Sequence, residues 1–359
     1  MKRIDEIDFI KAVAIIMVVI GHTNSPIFIH DMFYLVHVPL FFMMSGCTCK
    51  TNDYFFERER VVNFIKRRIV SLYIPFLKYA MPIVILHNLF YNWGFYENGF
   101  SINEYILQII RTILFSIGDK EPLLPQLWFI KVLFIMELLY AFIILMCHKL
   151  KIDSYKVIIP ISFLSLIFPI SELPHFFVMN IMLPLKAMLF FVIGKYIMVG
   201  CNYKKFRISR LFLLGILIIW GLSSVFFDTS FQESSGYLAL VQVIIVILVS
   251  VLLVHIAHLL KKYSQTIYNL ILALGRGTMS VFCLHYLVFK IITSLFLLIH
   301  LRGTNNNYTE LFTEQIPWWA YSLCGVIIPW VLINGGKKII NKNETLVSNK
   351  NGRVKNLIK

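Results

Sequence analysis

The sequence predicts an all-α fold: a polytopic integral membrane protein of about ten transmembrane helices, with both termini cytoplasmic. Composition is the first reason. Apolar residues make up 58% of the chain and charged residues 15%, and mean hydropathy is +0.75, values foreign to a water-soluble domain. The second is a series of ten hydrophobic runs, most of them long enough to cross a hydrocarbon core at about 1.5 Å rise per residue. The third is sidedness. With the N-terminus inside, 25 of the 34 Lys and Arg fall in inner segments, and only Arg111, Lys120 and Arg302 fall in outer loops. Lys11, Lys78, Lys131, Lys186, Lys195 and Lys290 lie within runs or at their ends. That asymmetry is the positive-inside rule.

The first run, 9–24, has no small-residue cleavage pattern behind it and is expected to stay as a signal anchor. It carries Lys11 and His22. Eleven residues apart on a helix, they lie about 20° from a common face and about 16 Å apart along the axis. Asp8, three residues before Lys11, is spaced to pair with it. The second run, 32–49, opens on His37, at a depth similar to His22, and holds Ser45-Gly46 near its inner end. A basic cluster, Lys66, Arg67 and Arg68, with Arg58 and Arg60 upstream, precedes the third run, 70–92.

The outer segment 93–126 contains an amphipathic stretch. Ile102, Ile106, Ile109, Ile110, Ile113 and Ile117 share one helical face, and Asn103, Glu104, Gln108 and Arg111 lie off it. It is expected along the outer interface, as a collar or as the roof of a groove. The fourth run, 127–147, carries Lys131 and Glu137. Six residues apart, they sit too far round the helix to pair, so Glu137 needs a partner from another helix. Runs 157–171, 179–199, 210–227 and 238–259 follow, with Pro160, Pro169 and Pro184 as tolerated kinks. His285 falls in the inner half of run 278–300, and run 317–334 closes the series. Residues 1–336 read as one membrane domain, and 337–359 as a basic cytoplasmic tail.

The net charge of +15 sits in short loops facing one leaflet. That excludes a nucleic-acid partner and favours anionic membrane lipid. The six cysteines lie at inner ends of spans or within them, which argues against disulfides. Cys47-x-Cys49 has the wrong spacing for a zinc knuckle, so no metal is expected.

Ionisable groups at membrane depth are costly and usually functional. Each nevertheless has a plainer role open to it. His22 can cap its helix, and Lys11 and Lys131 can snorkel to headgroups. The cluster at Lys66–Arg68 can simply set topology or can grip phosphate. Charge alone does not separate these.

Motif order does. Residues 7–24 read Ile-Asp-Phe-Ile-Lys-Ala-Val-Ala-Ile-Ile-Met-Val-Val-Ile-Gly-His-Thr-Asn, and 37–46 read His-Val-Pro-Leu-Phe-Phe-Met-Met-Ser-Gly. There follow Phe64-Ile-Lys-Arg-Arg-Ile-Val-Ser-Leu-Tyr-Ile-Pro75, then Leu127-Trp-Phe-Ile130, then Gly275-Arg-Gly-Thr-Met-Ser-Val-Phe-Cys-Leu-His285. In this order the chain resembles acyltransferase family 3, integral membrane O-acyltransferases, and within it the fucose 4-O-acetylase-like branch.

The resemblance implies transfer of an acyl group, acetyl by family, from cytosolic acyl-CoA to a hydroxyl of a cell-surface or lipid-linked glycan. It implies a bacterial plasma membrane, and glycan-assembly proteins as partners. It makes His22 the catalytic histidine and Lys11 its basic partner, more often Arg. It makes Arg68 the first arginine of an Arg-x-x-Arg element whose second position is Ser71 here, with Arg67 or Lys66 as compensation. Gly277 stands where Asn is usual and Thr278 where Ser is usual, and His285 is kept. Trp128 belongs to the fourth-run motif. On this reading Lys66, Arg67 and Arg68 hold the acetyl-CoA head group, Lys11 steadies its arm with Asp8 and Ser45 in support, and His37 or Glu137 orients His22. Two other classes stay open. Buried His, Lys and Glu also suit a secondary transporter, although no internal repeat is visible. A non-catalytic component of a glycan-export complex is the third.

Overall fold

The computed structural model describes residues 3–49, 58–115, 121–168, 172–198, 209–226, 230–300 and 309–333. The expected tail 337–359, Lys120, Arg302, Ile117 and Cys201 lie outside these residues. The described residues form helices and no strand. Six helices are long and apolar enough to cross a membrane: 27–48, 61–85, 125–150, 175–196, 236–263 and 278–299. Three shorter apolar helices, Tyr155–Ile167, Leu211–Phe226 and Trp318–Ile333, and the first helix, α1 (Asp5–Gly21), fall on the remaining runs. In lipid only internally bonded backbone is tolerated, which is why each run is built from helix in its described part.

α1 is the axis of the fold. Ala12, Ala14, Ile15 and Val19 are fully buried. It packs against α3 (His37–Thr48), α13 (Gly236–Tyr263), α14 (Gln265–Arg276) and α15 (Thr278–His300). Its acidic first turn, favourable at a helix N-terminus, is tied to the neighbouring helices. Glu6 meets His258 at 3.2 Å, and Asp8 meets Arg276 at 3.3 Å and Arg3 at 3.1 Å. The expected pairing of Asp8 with Lys11 is therefore corrected. Asp8 Oδ2 faces the two guanidinium groups, and Lys11 has no ion pair among the described residues. Small residues let these helices close up. A Cβ on Gly275 would lie 1.8 Å from the Asp8 carbonyl oxygen.

The second run is broken. α2 (Ile27–Tyr34) ends, Leu35 and Val36 intervene, and α3 begins at His37. A buried polar chain holds this break. Lys186 Nζ donates to the Phe231 carbonyl (2.6 Å) and to Ser234 Oγ (2.7 Å). Ser234 Oγ donates to Gln242 Oε1 (2.8 Å), and Gln242 Nε2 donates to the Leu35 carbonyl (2.9 Å). A carbonyl freed by a helix break inside a membrane domain needs such a donor. Trp220 Nε1 does the same for Met32 (2.8 Å).

α3 crosses α11 (Leu183–Ile193) and the π-helical turn Gly194–Met198 through two glycines. A Cβ on Gly46 would sit 1.9 Å from the Phe191 carbonyl oxygen, and one on Gly194 would sit 1.9 Å from that of Met43. This is close small-residue packing of the kind that joins helices in lipid. Gly194→Ala must push the helices apart, an overpacking cost of about 1–3 kcal/mol. The expected result is a lower unfolding temperature in detergent, and an unchanged one would contradict the crossing.

The amphipathic stretch forms α7 (Ile102–Ile113), started by a Ser101–Glu104 capping box. Its isoleucines 102, 106, 110 and 113 are exposed, whereas Gln108 and Thr112 are buried. An apolar face turned outward and a polar one turned inward suit a helix lying against lipid. The described cysteines, Cys47, Cys49, Cys147, Cys283 and Cys324, are free thiols.

Candidate active site

His22 follows directly on α1. Its backbone N–H still donates to the Val18 carbonyl at 3.1 Å, so the helix holds it in place. The break between α2 and α3 brings Tyr34 against it, with Tyr34 Oη 2.9 Å from His22 Nδ1. α15 supplies the other walls. The His285 ring stacks on that of His22 at 5.4 Å and 16°, and the Tyr286 ring lies 5.2 Å away. His285 Nδ1 faces the Val281 carbonyl at 3.0 Å. A carbonyl only accepts, so the proton sits on Nδ1 and Nε2 carries the lone pair. That Nε2 is buried without a partner.

The ring of His37 is 6.4 Å from that of His22, but its Nδ1 serves the Phe33 carbonyl at 2.7 Å. Tyr34, not His37, holds the His22 ring. Sequence reading missed Tyr34, because the break between α2 and α3 that turns it toward His22 leaves no signal in the local spacing. Glu137 is a second correction, because it stands elsewhere. Ser45 Oγ donates to Glu137 Oε1 at 2.6 Å, and Arg68 Nε lies 2.9 Å from Glu137 Oε2. The Arg68 contact is a charge pairing rather than an aligned hydrogen bond, which leaves that oxygen with hydrogen-bonding capacity.

Three cavities follow one another through the bundle. The first, about 280 Å³, is lined by Arg3, Asp8, Lys11, Arg68, Glu137 and Arg276, with Ser45 and Ser71. Four cations against two carboxylates make it basic. The second, about 80 Å³, is lined by His22, Tyr34 and His37. Phe129 and Phe282 line both, their rings 5.4 Å apart, and form the partition. The third, about 1000 Å³, shares His22, Gln126, Trp128 and Gln232 with the second.

Of the cluster 66–68, only Arg68 reaches the basic cavity. Lys66 and Arg67 are exposed, and Arg67 Nε donates to the Asn63 carbonyl at 3.2 Å. They do not replace the arginine lost at Ser71. Arg276 and Arg3 occupy that cavity instead. Arg276 stood in the ninth-run motif, but nothing in its spacing marked it as sharing a cavity with Arg68. Trp128 lines both cavities that contain His22, stacked on Phe231 at 6.5 Å.

A family model described as an acyltransferase domain, that of acyltransferase family 3, matches residues 4–334, almost every described helix. The chain belongs to acyltransferase family 3. No curated protein and no solved structure matches it. As a member of that family it is a multi-pass membrane acyltransferase, and the match spans both the basic cavity and the His22 cavities.

Among the described residues no cluster of His, Cys, Asp or Glu could hold a metal ion. The site offers an imidazole steered by a phenol, a second imidazole with a bare nitrogen, and a polar approach on either side. In one tautomer His22 Nδ1–H donates to Tyr34 Oη and leaves Nε2 free to take a proton. Tyr34→Phe removes that acceptor and leaves the tautomer and ring angle unset. The expected loss is about tenfold in kcat with KM little changed, read as labelled acyl transfer by membranes of equal protein content. An unchanged kcat would remove Tyr34 from the site.

Proposed function

We propose that this acyltransferase moves an acetyl group from cytosolic acetyl-CoA to a hydroxyl of a cell-surface or lipid-linked glycan, with His22 as general base. One observation carries the reading. His22 lines both cavities beyond the Phe129–Phe282 partition, and a cavity rich in Arg and Lys lies on the other side of it. The phosphates of the donor suit the basic cavity, where Arg68, Arg276 and Lys11 offer guanidinium forks and an ammonium. Its pantetheine arm then passes between the two phenylalanine rings to bring the thioester beside His22. The acceptor hydroxyl enters from the large cavity, with Trp128 as an apolar platform for a sugar face.

His22 Nε2 takes the hydroxyl proton as the oxygen attacks the thioester carbonyl. The C–S bond breaks as the new C–O bond forms, and the leaving thiolate receives the proton from His22. Tyr34 keeps the ring oriented throughout. With the N-terminus cytoplasmic, the basic cavity opens on the cytosolic side of a bacterial plasma membrane, where acetyl-CoA is made. The arrangement favours an enzyme over a transporter, because the basic groups and the imidazole lie on opposite sides of an aromatic partition rather than around one shared ion site.

Mass spectrometry of the surface glycan from cells with and without the chain tests this reading directly. The expected result is the loss of one acetyl mass per modified sugar, restored by the wild-type chain and not by the His22→Ala variant. Identical glycans in both strains would refute it.

A further inference from the structure

The large cavity beside His22 holds charge that the proposed reaction leaves unused. Arg111, from α7, and Lys131, from α8 (Trp128–Leu150), both line it. Neither has an ion pair or hydrogen bond among the described residues. The carboxylate that also lines it, Glu121, does not balance them. Glu121 is 1% exposed. Its Oε1 accepts from the Tyr96 hydroxyl, and its Oε2 lies 2.9 Å from His87 Nδ1. The other nitrogen of His87 faces the Asn98 carbonyl at 3.1 Å. Both oxygens of Glu121 are thus taken by Tyr96 and His87, and among the described residues no carboxylate lies within ion-pair distance of Arg111 or Lys131.

A second, independent feature asks for a ligand. Gln126 Nε2 donates to the carbonyls of Phe282 and Cys283 at 3.2 and 3.3 Å. Two carbonyl partners fix the nitrogen on that side and the oxygen on the other. Gln126 is 2% exposed, its Oε1 is buried without a partner, and the residue lines both cavities that contain His22. A buried acceptor left bare is unfavourable, and a hydroxyl donor from a ligand removes that penalty. Trp128, Tyr286, Phe76 and Phe115 add apolar walls.

We propose that the acceptor carries an oxyanion, a carboxylate or a phosphate, on or beside the sugar that receives the acyl group. Arg111 and Lys131 hold this oxyanion, and Gln126 Oε1 accepts from a hydroxyl of the same sugar. A neutral glycan would leave two partly desolvated cations unanswered, whereas an oxyanion offers Arg111 a forked contact and Lys131 a point-charge contact. The inference rests on the acyltransferase reading above and adds the chemical class of its acceptor.

The test uses the purified full-length protein in lipid nanodiscs with acetyl-CoA. The acceptors are methyl glycosides of glucose, galactose and mannose, each as the neutral sugar, the 6-carboxylate and the 6-phosphate. Acetylated product and free CoA are both measured, with His22→Ala as the control. An acidic form of at least one sugar is expected to exceed its neutral form in kcat/KM by about tenfold or more. Arg111→Gln and Lys131→Gln are each expected to cut that preference by about tenfold through KM. The carboxylate and phosphate arms tell the two oxyanion sources apart. Equal or better use of neutral sugars, or a preference that survives both substitutions, overturns the proposal while the enzyme stands. No CoA release that depends on His22 overturns the acyltransferase reading. In that case thermal-shift binding of the acidic glycosides decides the oxyanion site by itself: stabilisation lost in both variants supports it, and no stabilisation of the wild type ends it.

Discussion

His22→Ala is expected to lower acyl transfer by about two to four orders of magnitude, the usual worth of a positioned general base, with the protein still present in the membrane at its normal level. Abundance survives because the ring is not a packing keystone. It lines two cavities, and its one side-chain hydrogen bond among the described residues, to Tyr34, lies beside space that water can fill. His22→Gln sharpens the test. Its amide can still meet the Tyr34 hydroxyl, but it cannot accept a proton at neutral pH. Both variants should therefore be inactive, and Gln should be no better than Ala. Labelled acetyl transfer, normalised to membrane protein, reads the effect. Activity above half of wild type in His22→Ala would take the chemistry away from this residue, and His285, with its bare Nε2 stacked on His22, would become the next base to examine.

Arg68→Ala is expected to produce the largest loss of stability. Glu137 is fully buried, and Arg68 Nε, 2.9 Å away, is the cation that meets it. Removing one member of a buried pair strands the other charge, at a cost of about 3–5 kcal/mol. Ser45 alone, with its single hydrogen bond at 2.6 Å, does not offset it. The variant should accumulate poorly and unfold at a markedly lower temperature in detergent. Replacing both partners, Arg68→Leu with Glu137→Leu, removes the stranded charge and should recover most of that stability. Donor use should stay lost, because the basic cavity then lacks its Arg68 guanidinium. A double variant as unstable as the single one would show that the pair does not act as a unit. A stable double variant with normal use of acetyl-CoA would remove Arg68 from donor binding.

These two expectations differ in how far the residues alone reached. Lys11 and His22 were legible as ionisable groups eleven residues apart near one helical face, but spacing left His22 free to be a helix cap, and only the order of the family motifs marked it as the catalytic candidate. Glu137 was half legible. Six residues from Lys131 it could not pair on its own helix, and so needed another, but nothing in the order of residues named Arg68 and Ser45. The reading of Glu137 and His37 as groups that orient His22 failed for the same reason. Depth along a helix axis is visible in a sequence, whereas rotation about that axis is not. Tyr34 was overlooked because its place depends on the break at Leu35 and Val36, and that break depends on Lys186, Ser234 and Gln242, far away in the chain.

The residues in their order determined that the chain is helical, that it crosses a membrane repeatedly, and where the catalytic candidate and the basic cluster stand along it. Hydropathy and charge act on each segment separately, and a bilayer leaves an apolar segment almost no choice but a helix. Tertiary structure alone decided which phenol meets His22, which arginines share a cavity with Arg68, and that two phenylalanines stand between the cations and the imidazole. In lipid the buried face of a helix and its lipid-facing side are both apolar, so no hydrophobic stripe announces which way a helix is turned. Only contacts with neighbouring helices, such as the Gly46–Gly194 crossing, set that rotation.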